Sequence, residues 1–516
     1  MMRFTIACCL ATAIWSTGCT TDNTVDEPDS SVQVDAEVPD VDGGPGVDGS
    51  TTSDGGTTIP PSTITPGAAD RFLYVGTVLT PTGPMAGEVL VEGVRITCVA
   101  ASCSTMAGAT GATVVRTSGV ISPGLVETHN HGLFNIFDEG DWNPGRFYQN
   151  HNNWTSDARY GQVVDAKQYI NGEGSPVDFT CELDKYAEVK ALISGTTSYL
   201  LAPGAQEPAC YDSVIRTIDT QRNDLGFDRI RTSISVPDMA GAVSVCNSFN
   251  AGTTTAYVVH VGEGVDGTAL NEFTTLSGRN GGCLLSPHTT IVHGTAFGMP
   301  QFMQMAMSGM RLVWSPKSNL FLYDGAAKID LAIAAGVSVI ALGPDWSMGG
   351  SINLLDELRT ADMVDTMRLG NILTPRRLYD MVTIDAARAL SLEAEVGSLA
   401  VGKRADIALY AANPADPYTA MLGQRPQTVE LVMVDGRVLY GDRALKAAGP
   451  AAPGCEDIDI CGVPKFLCIA ESSTLNKLDQ TFAQVVSTLN TAMQAYDAMF
   501  PAQAPMFPLA PLTKCN

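Results

Sequence analysis

The spacing of apolar and polar positions changes rhythm several times along this chain. Residues 20–66 carry Asp, Val, Gly, Ser, Thr and Pro without an aromatic side chain. Such a stretch buries too little surface to offset its ordering entropy and reads as a flexible tether. From Arg71, short apolar runs appear between turn residues at Phe72–Gly76, Gly87–Gly93 and Arg95–Val99, which is the pattern of short strands. From Val120 the rhythm changes again. Apolar runs at Leu125–Thr128, Thr196–Leu201, Arg229–Ile234, Ala256–His260, Thr290–His293, Leu312–Trp314 and Val337–Leu342 alternate with helical patterns such as Leu183–Ile193 and Met299–Ser308. This alternation predicts an α/β fold, a (β/α)8 TIM-like parallel barrel. After Val396 short strands return at Ile407–Tyr410, Val429–Val434 and, across an Asp435-Gly436 turn, Arg437–Tyr440. β segments thus flank the barrel, and the simplest assembly pairs them into one small β-sandwich. In the tail, Leu475, Leu478, Phe482, Val485, Leu489, Met493 and Tyr496 recur at the spacing of a helix packed on the body.

Charge changes the picture at the N-terminus. The formal net charge is −24, and the stretch from Thr20 to Pro61 holds acids with no Lys or Arg. Nucleic acid is excluded as a partner, because phosphate recognition needs a basic surface. Arg3, the apolar run Phe4–Trp15 and the small residues Ser16-Thr17-Gly18 form an export signal too short to span a bilayer. Cys19 follows, and the arrangement resembles a bacterial lipoprotein signal, in which that Cys is lipidated. Ser16 departs from the aliphatic residue usual there. The expectation is a protein lipid-anchored to the bacterial envelope through Cys19, with a periplasmic or secreted location as the alternative.

The organisation predicted is a signal over 1–19, a tether over 20–66, a composite sandwich from 67–119 and 396–446, a barrel over 120–395, and a disulfide-bearing helical extension over 447–516. Of 13 cysteines, setting aside Cys8, Cys9 and Cys19 leaves an even number, which in an exported chain favours disulfides. Sequence neighbours suggest Cys98–Cys103, Cys181–Cys210 and Cys246–Cys283. Two more bridges fall among Cys455, Cys461, Cys468 and Cys515. None has the paired spacing of a zinc ribbon.

Candidate chemistry gathers at the ends of the apolar runs. His129 and His131 end Leu125–His131 two residues apart, which on a strand sends both imidazoles to one face. Tyr257–His260 ends in His and is followed by Glu263, Thr290–His293 ends in His, and Val339–Leu342 leads to Asp345. Four of the six histidines therefore sit at strand ends, where such barrels place their sites. His151, in a long loop, and His288, before a strand, read as structural or pocket-lining.

The order HxH, His-x-x-Glu, His, Asp resembles the amidohydrolase superfamily over about 70–440. The chain is most similar to the branch of guanine deaminase, S-adenosylhomocysteine deaminase and the triazine hydrolases. Ser315-Pro316-Lys317-Ser318-Asn319-Leu320, Val396-Gly397-Ser398-Leu399 and Gly402-Lys403-Arg404-Ala405-Asp406 match that branch. The resemblance implies one divalent metal on His129, His131, His260 and Asp345, zinc first and iron second. It implies Glu263 as proton shuttle, His293 as a hydrogen-bond partner of the hydroxide or the substrate, and Asp345 as a further catalytic group orienting the water. Binuclear members often use a carboxylated lysine, and no Lys lies between Lys190 and Lys317, which favours one metal. Pro344 before Asp345 and the aromatic loop with Phe134, Phe137, Trp142, Phe147, Tyr148 and Trp154 depart from the family pattern and leave the substrate open. The implied function is hydrolysis of a C–N bond in a small cyclic or heterocyclic substrate. The alternatives are C–Cl or ester hydrolysis at the same site, or a tethered binding protein without turnover. Relatives that dimerise add a homodimer to the expectations.

Overall fold

A computed structural model describes residues 59–201, 214–219, 223, 225–450, 454–470 and 479–515. The export signal, Cys19, most of the expected tether and Cys210 lie outside the described residues. Order begins earlier than the boundary at 67. Strand β1 (Thr63–Thr65) pairs with a later strand, and Ser62 donates its backbone N–H and hydroxyl to the buried Glu430 carboxylate at 3.1 and 2.8 Å. A carboxylate buried in a sheet needs donors, and Ser62 supplies two. The strands that follow are β2 (Ala68–Thr80), β3 (Gly83–Glu92), β4 (Arg95–Ala100) and β5 (Ala112–Pro123).

The parallel region comes next, as β6 (Leu125–Glu127), β7 (Thr196–Tyr199), β8 (Arg216–Thr217), β9 (Ile230–Ser233), β10 (Ala256–Val261), β11 (Thr289–His293), β12 (Arg311–Trp314) and β13 (Ile340–Leu342). They form a three-stranded sheet, β6-β7-β8, and a five-stranded sheet, β13-β12-β11-β10-β9, parallel throughout. All seven runs expected from the pattern are strands. β8 was not expected, since two residues carry no periodicity. Just past β6 and β13, Asn130 and Asp345 form a parallel bridge. Side-chain alternation divides each strand between two cores. Val126, Val258, Val292, Val313 and Ala341 meet in one buried cluster with Ala386, Ala387 and Leu390, whereas Tyr257, Val259, Ile291, Leu312, Ile340 and Leu342 join the cluster shared with the helices. Burial on both faces is why these strands read as continuous apolar runs.

After the parallel region come β14 (Ile407–Tyr410), β15 (Val429–Val434), β16 (Arg437–Asp442), β17 (Cys455–Ile460) and β18 (Val463–Cys468). The two flanking segments do pair, edge to edge in a single ten-stranded sheet of order β17-β18-β16-β15-β14-β5-β2-β3-β4, with β1 on β5. The join is antiparallel, with Pro123 opposite Ile407 and Val120 opposite Tyr410. The tail, expected as a disulfide-bearing helical extension, also contains strands. Its first part is the β17–β18 hairpin, turning at Cys461 and Gly462 with φ of 53° and 82° and extending the sheet from β16. Asp457 and Asp459 masked the pattern, because an edge strand tolerates outward acids.

Helix Phe482–Met499 then packs on the body. Its buried face holds Phe482, Val485, Leu489, Met493 and Tyr496, and a Thr481–Gln484 capping box starts it. Phe482 stacks on Tyr186 at 5.8 Å. Leu475 and Leu478 lie outside the described residues. Cys98–Cys103 and Cys246–Cys283 are bonded as expected, and the tail bridges are Cys455–Cys468 and Cys461–Cys515. Cys181 is also disulfide-bonded.

Candidate active site

The strand-end histidines converge. The His129 ring lies 5.0 Å from that of His131, 4.6 Å from His260 and 5.3 Å from His293. Asp345 Oδ1 is 3.0 Å from His129 Nε2 and 3.4 Å from His131 Nε2. Ligand atoms of His129, His131 and His260 lie within 4.8 Å of one another, and so do those of His129, His293 and Asp345. Local backbone explains the convergence. Gly343 leaves room for His129, whose Cβ would be 2.6 Å from any Cβ added there. Val292 faces the inner cluster, so strict alternation would turn His293 outward. Its φ of 73° breaks the alternation, and Asp345 shares that left-handed value. Non-glycine residues adopt it only where the surroundings hold them, and such outliers gather at functional sites.

The hydrogen bonds assign ring protons. His260 Nδ1 lies 3.1 Å from the Ser233 carbonyl, which can only accept, so the proton is on Nδ1. The lone pair then sits on His260 Nε2, which is buried without a partner. Asn319 Nδ2 donates to His293 Nδ1 at 3.1 Å, leaving the His293 proton on Nε2. Burial holds His129, His131 and His260 down at about 3 and His293 well below its usual value, so all four rings are neutral near pH 7. Neutral imidazoles with inward lone pairs and a carboxylate are a donor set that fits a divalent cation. Burial pushes Asp345 up.

Glu263 stands at the edge of this cluster. Its Oε2 is 3.7 Å from His293 Nε2, and its Oε1 accepts from Tyr323 at 2.7 Å. Tyr323 in turn accepts from Trp154 Nε1 at 2.7 Å. Burial first, then the Asp345 charge, raises Glu263 to about 8. A carboxyl near 8 can both take and give a proton around neutrality.

Sequence reasoning missed Tyr323, Glu272 and the role of His151. His151 Nδ1 is 3.6 Å from Glu263 Oε2, and Nε2 is 2.7 Å from Glu272 Oε1. An exposed-looking Glu one helical turn into Gly267–Gly278 gave no signal. His288 lies at the far end of β11, with Nδ1 on the Thr255 carbonyl. Within the aromatic loop, Trp142 and Phe137 are buried, whereas Phe147 is exposed. Trp346 centres an aromatic group beside His131 at 5.7 Å, with Phe134 at 5.5, Trp154 at 5.4 and Tyr160 at 6.0 Å. Lys190 is spent elsewhere, donating to the Asn135 carbonyl at 2.6 Å and lying 3.3 Å from Ser347 Oγ.

The sequence profile of the amidohydrolase family matches residues 246–439. A 5-methylthioadenosine/S-adenosylhomocysteine deaminase from Desulforudis audaxviator is 34% identical over 149 residues, 27% of this chain and 34% of that protein. An S-triazine hydrolase from Gordonia rubripertincta is 28% identical over 283 residues, 50% of this chain and 58% of that protein. The chain thus spans from a third to under two thirds of the length of these curated relatives. An atrazine chlorohydrolase variant from Arthrobacter aurescens, solved with zinc and atraton, superposes with a TM-score of 0.56 at 18% identity, over 74% of this chain and 97% of that one. That likeness gives a TIM-barrel-like α/β fold. Over these stretches the chain is similar to the amidohydrolase family and to these deaminases and triazine hydrolases.

Proposed function

We propose that this chain is a metal-dependent hydrolase that cleaves a C–N bond of a small cyclic or heterocyclic substrate by deamination. The observation that carries the reading is a buried Glu263 beside a cluster of neutral imidazoles in which the His260 Nε2 lone pair has no partner. His129, His131, His260 and Asp345 would hold one divalent cation, with zinc favoured over iron by nitrogen-rich ligation. When bound, the cation supplies Lewis acidity to water, whose pKa falls to about 7 in zinc enzymes. The rest falls to the chain. Glu263 takes a proton from the attacking water and returns it to the leaving nitrogen. Tyr323 holds one Glu263 oxygen in place, and His293 donates from Nε2 to the incoming oxygen or the substrate. Asp345 orients the water. The aromatic group around Trp346 would stack a planar ring and keep bulk water out. The engagement of Lys190 away from the cluster supports a single metal. We read β6 through β13 as one closed barrel, on the strength of the bridge between Asn130 and Asp345. The large sheet reads as a sandwich folded on itself, since Phe72, Val89, Ile407, Leu431 and Phe466 share one buried cluster.

Elemental analysis and an ammonia-release screen of purines, pyrimidines and triazines test this. One tightly bound metal and ammonia from at least one ring are expected. Two tight metals overturn the one-metal reading, and a metal-loaded protein silent across the panel overturns deamination. The triazine hydrolase relative favours a second reading, in which the same site displaces a non-amine ring substituent such as chloride.

Export through Cys19 completes the reading. The disulfides among the described residues suit an oxidising compartment. A lipid-anchored protein takes up labelled palmitate when the full chain is expressed in a bacterium. Label persisting in Cys19→Ser, or its absence from the wild type, rules the anchor out.

A further inference from the structure

We propose that His151 is a positioning residue for Glu263, an imidazolium held between the Glu263 and Glu272 carboxylates. The inference rests on the proton-shuttle reading of Glu263 given above.

The segment around His151 is fastened to the turn that carries Glu263. Val265 N–H donates to the Gln149 carbonyl at 2.8 Å, and His151 N–H donates to the Glu263 carbonyl at 3.2 Å. Asn150 and Gly264 form an antiparallel bridge, and Asn150 Nδ2 donates to Asp266 at 2.7 Å. Gly264 is required here. Its φ is 141°, and an added Cβ would sit 2.5 Å from the Gln149 carbonyl oxygen. This clasp fixes where the imidazole can lie.

Glu272 then fixes its orientation. One Glu272 oxygen is 2.7 Å from His151 Nε2, and the other accepts from the Gly262 N–H at 2.8 Å. Glu272 is therefore locked by the backbone next to Glu263. The remaining ring nitrogen, Nδ1, faces Glu263 Oε2 at 3.6 Å, an ion-pair separation rather than a hydrogen bond. Trp154, three residues on, holds Tyr323, and Tyr323 holds the other Glu263 oxygen. One helical turn, His151–Trp154, thus faces both oxygens of the shuttle, directly and through Tyr323.

The electrostatics agree with the geometry. The charged groups that face His151 are Glu263, from the turn after β10, and Glu272, from helix Gly267–Gly278. Both favour the imidazolium, the Glu272 hydrogen bond most, against burial. That cation in turn opposes the burial and the Asp345 charge that raise Glu263. An imidazolium here keeps part of the Glu263 population ionised, the form that accepts a proton from water. The side chains of His151 and Glu272 are each about one-fifth exposed, so both reach water while Glu263 does not.

Two arms test the proposal. In the kinetic arm, His151→Phe should lower kcat by about 10–100-fold with KM little changed and metal content intact. Glu272→Gln, nearly isosteric, should lower kcat in the same sense. The double variant should be no worse than His151→Phe alone, because the two act as one unit. Losses that simply add, a rise in KM at constant kcat, or loss of metal from either variant overturn it. In the second arm, 15N-histidine spectra are recorded on the full protein. With only six histidines, the His151 signals are assigned by their loss in His151→Phe. Both His151 ring nitrogens should carry protons at pH 7 in the wild type, and only one in Glu272→Gln. A neutral His151 in the wild type at pH 7 overturns the proposal. If no substrate is turned over, the function proposed above fails, and the spectra still decide the state of His151.

Discussion

Two buried charged clusters in this protein solve the same problem in opposite ways. At the joint between the parallel strands and the large sheet, Arg216 on β8 is paired with Asp406 and lies 3.4 Å from Asp435. Arg404 reaches Asp435 at 3.0 Å, and the Asp435 N–H donates to Asp406 at 2.8 Å. Arg404 also lies 3.5 Å from Glu395, so each charge at the joint has an opposite charge beside it. At the other ends of the parallel strands, four imidazoles and two carboxylates meet with no Lys or Arg among them. Donor atoms point inward and the charge is left unresolved. The first cluster needs nothing more. The second is a donor set that fits a cation from outside, which is why it reads as a site and the joint as a fastening.

The largest expected effect that separates them is on turnover. Glu263→Gln should keep the metal and lower hydrolysis by about 10²–10⁴-fold. Substitutions at the joint should leave the rate per folded molecule unchanged. Full activity in a metal-loaded Glu263→Gln protein would remove Glu263 from the chemistry.

Next comes stability at the joint. Arg216→Met strands the buried Asp406 carboxylate, while Asp435 keeps Arg404, and should cost about 3–5 kcal/mol, read by denaturant unfolding, with metal content unaltered. A loss below about 1 kcal/mol would mean that water reaches the acids.

Metal removal acts on the other cluster. At a free metal concentration a thousandfold above the dissociation constant, binding adds about 4 kcal/mol, so chelation should lower the melting temperature of the wild type. His260→Ala should abolish most of that difference, whereas Arg216→Met should preserve it.

The smallest effect is a pH signature in the metal-free protein. Glu263 is raised to about 8 in the folded state, so the folded form binds its proton more tightly than the unfolded form does. The stability it contributes is fully present below the unfolded carboxyl value near 4.5, and it is lost as pH rises through 8. Metal-free wild type should therefore lose stability relative to Glu263→Gln between pH 5 and pH 8.5. Parallel melting curves across that range would refute a buried, protonated Glu263.

Much of this was legible in the chain. The seven parallel runs, the Asp435-Gly436 hairpin and the tail helix follow from periodicity, because burial on one or both faces leaves a repeat in the sequence. His129, His131, His260, His293, Glu263 and Asp345 stood out because each follows an apolar run, and a strand end in a parallel fold points to the common mouth. The two-residue strand β8 left no repeat to read. The β17–β18 hairpin hid behind outward acids, and Ser62 looked like tether until Glu430 was seen to need its donors.

The sequence by itself determined the proposed class of chemistry, since the order of candidate ligand types along the chain survives without coordinates. Tertiary structure alone decided how that chemistry is tuned. His151 meets Glu272 and Glu263 only because a glycine-tight clasp at Gly264 brings two distant loops together. His293 joins the cluster only because its backbone leaves the strand conformation. Residue type and order are local information. Protonation and orientation depend on distances across the fold, through burial and Coulomb interactions that no single segment contains.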